Sequence, residues 1–131
     1  MYAKAAGCST VSASAIMSKE NTARQQKASK MEETIKNVCK KAIEVYGQEN
    51  QTKMFYEEVG ELCAALGHYR RGRATRQDVI TEIADVLIVT TQLGLMFGDE
   101  EVTDEVKRKV NRLASRINEK TPGLKMEYYG N

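Results

Sequence analysis

Two short acidic runs carry the most chemistry in this sequence, Glu57-Glu58-Val59-Gly60-Glu61 and Glu82-Ile83-Ala84-Asp85. Each holds two carboxylates three residues apart, and on a helix such residues stand about 60° apart and share a face. Both runs are set among apolar residues. From Asp85 to Phe97 the chain is apolar nearly all round, which is the pattern of a buried helix. A carboxylate enclosed there loses on the order of several kcal/mol of hydration unless a cation or hydrogen bonds compensate. Too few basic residues lie within these segments to pair with the acids. If the two helices pack antiparallel, Glu58, Glu61, Glu82 and Asp85 face one another as four acids around one cavity. Oxygen-only ligands select hard cations, Mg²⁺ with Mn²⁺ as substitute, over zinc, and Mg²⁺ held by carboxylates completes its octahedron with water and substrate phosphates. One such pair on a helix is ordinarily a solvated face; two on neighbouring apolar helices point to metal binding.

Other residues extend that reading. Gln51 and Gln92 fall on the same helical faces as the acids, one or two turns away, and an amide both donates and accepts as recognition of a base edge or sugar requires. Lys109, Arg112 and Arg116 form a basic stripe beside an apolar one, and an acidic metal site that takes a polyanion needs such cations on its outer side. Arg70, Arg71 and Arg73 form a second basic group in a turn. The sole histidine, His68, leaves histidine-rich metal sites without ligands, and because it does not stand three residues after a Glu, the four-helix di-iron pattern is absent.

The elements that must position these groups follow from periodicity. The 131 residues suit one domain, and scarce aromatics with abundant Ala, Leu, Ile, Glu and Lys favour an all-α chain. Residues 1–28, rich in Ala, Ser and Thr, lack the large apolar groups to offset ordering entropy and are expected as a mobile extension or poorly packed helix. The folded domain then spans residues 29–120, with a tail at 121–131. Met31, Ile35, Val38, Ala42, Ile43 and Tyr46 mark a first helix that Gly47 stops. A second is expected from Asn50 as N-cap to about Tyr69, a third from Thr75 to Gly98 with Asp78 completing its cap, and a fourth from Thr103 to just before Pro122-Gly123. Val106, Val110, Leu113 and Ile117 form the apolar stripe of that last helix.

Composition bounds the partners. With 20 Lys and Arg against 18 Asp and Glu, the charge of +2 argues against a general nucleic-acid or membrane binder, and no membrane-spanning segment is expected. Cys8, Cys39 and Cys63 are unpaired in pattern, as in a reduced cytoplasmic protein. A thin core around a central cavity also calls for a partner subunit.

Taken together, Gln51, Glu57-Glu58-Val-Gly-Glu61-Leu, Arg71-Gly72, Thr81-Glu82-Ile-Ala-Asp85-Val, Gln92-Leu93, Phe97-Gly98 and Lys109, Arg112-Leu113 and Arg116 resemble the MazG-like nucleotide pyrophosphohydrolases of the all-α NTP pyrophosphatase superfamily. The resemblance covers about residues 35–117. It implies a four-helix MazG-like bundle assembled as a homodimer or homotetramer, and Mg²⁺-dependent cleavage of a nucleoside triphosphate to the monophosphate and pyrophosphate. Carried over residue by residue, it makes Glu58, Glu61, Glu82 and Asp85 the metal ligands, with Glu58 or Glu61 accepting the proton of the attacking water. It gives Glu57 a water-orienting role outside the direct ligands, and Lys109, Arg112 and Arg116 the phosphates. The competing expectation is a non-catalytic helical dimerisation or regulatory module that retains a degenerate nucleotide site.

Overall fold

A computed structural model describes residues 13–121 together with Gly123, Leu124 and Met126; the expectations for residues 1–12 and for most of the tail lie outside the described residues. Among the described residues the protein is an all-α four-helix bundle: α1 (Ala13–Tyr46), α2 (Gln48–Arg70), α3 (Arg76–Phe97) and α4 (Asp99–Lys120). The chain divides into two compact units, residues 1–35 and 36–131. In the first, α1 begins some sixteen residues before the expected start at residue 29. No Gly or Pro interrupts this stretch, and Ala, Lys, Gln and Met are strong helix formers, so propensity carries the helix. Its apolar side chains, among them Met17 and Met31, are largely exposed.

The second unit holds the acids. Gly47, at φ 84°, sits between α1 and α2, a backbone state that favours glycine. Helix α2 starts at Gln48 directly after it, not at an Asn50 cap: Asn50 is inside the helix and its Nδ2 donates to the Tyr46 carbonyl at 2.8 Å. The start of α3 is as expected. The Thr75 hydroxyl accepts from the Asp78 backbone N–H at 3.2 Å while the Asp78 carboxylate accepts from the Thr75 backbone N–H at 2.7 Å, a full capping box. Gly98, at φ 122°, ends α3, and α4 begins immediately at Asp99. The expected start at Thr103 came too late because Asp99, Glu100 and Glu101 already complement the positive end of the helix dipole.

Helices α2 and α3 form the main pairing of this unit, and α3 meets α4 more sparingly. From α1, Cys39 is almost fully enclosed and its thiol donates to the Ile88 carbonyl at 3.8 Å, while Lys36 Nζ pairs with Asp99 Oδ2 at 2.9 Å. Among the described residues Cys39, Val89 and Ala114 make up the buried apolar set, and Gln51 and Gln92 are buried as well. This corrects the expectation that α3 is enclosed on every side. Leu87 is 62% exposed and Phe97 79%, with Ile83 and Ile88 also open. The expectation that nothing could span a membrane needs the same revision. By length and composition alone, the 22 residues of α3 could cross a bilayer. Glu82 and Asp85 in that helix argue against it, each costing on the order of a few kcal/mol in hydrocarbon.

Candidate metal centre

The acids are assembled by the antiparallel register of α2 and α3. Glu58, Glu61 and Glu82 each offer a carboxylate oxygen within 4.8 Å of the others. Asp85 joins them electrostatically, since it is the strongest of the charges that raise the Glu58 carboxyl. Moving one turn up α2 is therefore matched by one turn down α3, with Glu58 level with Asp85 and Glu61 level with Glu82. Three-residue spacing on each helix makes the repetition possible, because it keeps both acids of a pair on the contact face.

Burial is graded. Glu58, Glu82 and Asp85 are half-buried and Glu61 is exposed, so the four acids rim a cleft open to solvent and do not enclose a sealed cavity. Burial first, then the negative charges of Asp85, Glu61, Glu82 and Glu57, push the Glu58 carboxyl above its usual range. Glu82 Oε2 is completely enclosed and has no hydrogen-bond partner. Among the described residues none of the four acids makes an ion pair. Repelling carboxylates with one enclosed, unpaired oxygen form a donor set short of positive charge, and a hard divalent cation fits it.

A hollow of about 320 Å³ adjoins the acids, lined by Glu61, Ala64, Ala65 and His68 of α2, Ala74 of the turn, and Asp78 and Glu82 of α3. Ala64 and Ala65 follow Glu61 by three and four residues, so they lie over the same face one turn on and leave room where larger side chains would fill it. These small residues and His68 belong to the neighbourhood of the site although the acidic spacing does not point to them. The signal available in the sequence was the Ala-Ala pair one turn beyond Glu61.

The remaining expected site residues are placed differently. Gln51 and Gln92 are 8% and 5% exposed, and the register that aligns the acids puts them level with each other, two turns from Glu58 and Asp85. Gln92 Oε1 is enclosed without a partner. At this depth the two amides belong to the α2–α3 packing. Glu57 is exposed on the flank of α2. Lys109 is engaged by Glu105 of its own helix at 3.5 Å, and Arg116 lines a separate hollow near the end of α4. Neither they nor Arg112 line the hollow beside the acids. No family model, curated protein or solved structure matches the chain.

Proposed function

We propose that this protein is a Mg²⁺-dependent nucleoside triphosphate pyrophosphohydrolase, which releases pyrophosphate and leaves the monophosphate. The observation that carries the reading is the convergence of Glu58, Glu61 and Glu82 within 4.8 Å, with no ion pair to any of them among the described residues. The resemblance of the paired acidic motifs to MazG-like enzymes supplies the reaction class. Glu58, Glu61, Glu82 and Asp85 would hold the metal. When bound, Mg²⁺ neutralises phosphate oxygens and orients the triphosphate for attack at the α phosphorus.

The chain's own contribution follows from its geometry. Glu61 is the most open of the four acids and faces the hollow, so a water can approach it from solvent, and Glu58 stands one turn away on the same helix face. The water adds across the bond between the α phosphorus and its bridging oxygen, its oxygen going to the monophosphate and the electron pair of the broken bond to pyrophosphate. One of these two carboxylates takes the released proton.

The test is turnover of canonical and modified nucleoside triphosphates with Mg²⁺, scored for pyrophosphate against orthophosphate. Pyrophosphate release is expected from the unmodified protein and not from Glu61→Gln or Asp85→Asn, each retaining its helical circular dichroism. Turnover retained in both variants refutes the assignment of the acids. Absence of turnover with every nucleotide favours the regulatory module.

A further inference from the structure

The turn between α2 and α3 carries a basic group that the acidic site does not use. Arg70, Arg71, Arg73 and Arg76 fall within seven residues that contain no acid. Among the described residues none of the four makes an ion pair. Each therefore keeps a charged planar fork that an anion can take. The helix dipole accounts for Arg70, a cation in the last turn of α2. It does not account for Arg76, which opens α3 at the positive end of that helix, where a cation is disfavoured.

Backbone bonds tie the turn to the hollow beside the acids. The Arg71 and Arg73 N–H groups both donate to the His68 carbonyl, at 3.1 and 2.8 Å, and Gly72 N–H donates to the Tyr69 carbonyl at 2.9 Å. Gly72 takes φ 68°, which lets the chain reverse within so few residues. The Arg71 guanidinium folds back over Gly67, where a side-chain carbon would stand 3.5 Å from both its terminal nitrogens. His68 and Ala74, on either side of the turn, line the same hollow as Glu61 and Glu82.

We infer that this arginine turn holds the β and γ phosphates of the triphosphate, so that the pyrophosphate end of the substrate lies along the hollow. The inference rests on the proposed hydrolysis and names the chain's own cations for it. From Glu61 to His68 is seven residues, about 10 Å along α2, a span that the β and γ phosphates and an arginine side chain cover together. Pyrophosphate leaves with more charge than it carried in the bound substrate, and fixed cations at that end stabilise its departure. Lys109 is held by Glu105, and Arg116 lines a different hollow, whereas the turn adjoins this one through Ala74. The Asp78 carboxylate on the same wall accepts from the Thr75 N–H and hydroxyl at 2.7 and 2.8 Å. Without a metal, Glu61, Asp78 and Glu82 make the hollow repel a polyanion, so binding there needs Mg²⁺ and the arginines together.

The test is calorimetry of inorganic pyrophosphate on the full chain, with and without Mg²⁺. Binding is expected with Mg²⁺, weakened about tenfold by Arg71→Gln or Arg73→Gln and unchanged by Arg108→Gln, a charge control on α4. The thermal shift produced by Mg²⁺ alone reads the acids and should be the same in the turn variants as in the parent. No pyrophosphate binding, binding equally strong without Mg²⁺, or a Mg²⁺ shift lost with the arginines overturns the inference. So does a loss confined to Arg112→Gln and Arg116→Gln. Turnover measured in parallel separates the two readings. Pyrophosphate held by the turn in a protein that cleaves no nucleotide leaves the arginine site standing and refutes the hydrolase. Cleavage with an unchanged KM in both turn variants refutes the arginine site and leaves the hydrolase standing.

Discussion

Replacing Glu58 by Gln is expected to stabilise the metal-free fold while removing its response to Mg²⁺. Two carboxylates 4.8 Å apart repel by about 0.9 kcal/mol in bulk water and about 3.5 kcal/mol at an effective dielectric of 20. Glu58 has two neighbours within that distance and is half-buried, with Glu61 open to solvent, so the lower end applies and the relief is about 2 kcal/mol. For a chain of this length that is roughly an 8 °C rise in Tm. The pH dependence has a definite sign. Because the folded-state value of Glu58 is raised, the fold's advantage from this group is complete below the ordinary carboxyl value of 4.5 and is lost as pH rises through the raised value. The stabilisation of Glu58→Gln should therefore be absent near pH 4 and larger at pH 7.

Bound metal should reverse the comparison. For a dissociation constant of about 1 mM, 10 mM Mg²⁺ stabilises the unmodified protein by about 1.4 kcal/mol, and Glu58→Gln should lose most of this. The assay is thermal unfolding of both proteins at pH 4 and pH 7, with Mg²⁺ or with KCl at matched ionic strength, since salt alone screens repulsion. A variant less stable than the parent at pH 7 refutes the account of the acids as a repelling cluster. A Mg²⁺ shift equal in both proteins, or reproduced by KCl, refutes the metal site.

Two further outcomes test the frame around the site. Thr75→Ala should cost about 1 kcal/mol by removing the cap of α3, seen as a lower denaturant midpoint with an unchanged slope. Asp78→Asn should destabilise in a pH-dependent way: the Thr75 backbone and hydroxyl hydrogen bonds lower the Asp78 carboxyl, so its advantage is present above the ordinary value of 3.8 and fades as pH falls through the lowered one. In alkylation followed by peptide mapping, Cys63 should label readily in the native state. Cys39 should stay protected until unfolding, because burial raises its thiol.

Part of this architecture was legible residue by residue. The Thr75-Asp78 cap, the stop at Gly98 and the two acid pairs are local features, set by side chains that reach their own backbone or by spacing along one helix. The start of α2 was misread because Gly47 and Asn50 both suit a boundary, and the glycine's positive φ settled it. The early start of the first helix rests on propensity, which apolar periodicity does not register.

The all-α character, the acid pairs and the helix face that each pair shares are written in the chain, because they depend on neighbours within about one turn. Tertiary structure decided which acids meet. Only the register of α2 against α3 brings Glu61 to Glu82 and encloses one Glu82 oxygen without a partner. It also separated groups that composition alone would unite, leaving Lys109 and Arg116 to other neighbours and Gln51 and Gln92 inside the helix pair. The physical reason is range. A hydrogen bond or a helical repeat acts over a few residues of chain, whereas the repulsion between carboxylates on two helices exists only once packing has fixed their distance.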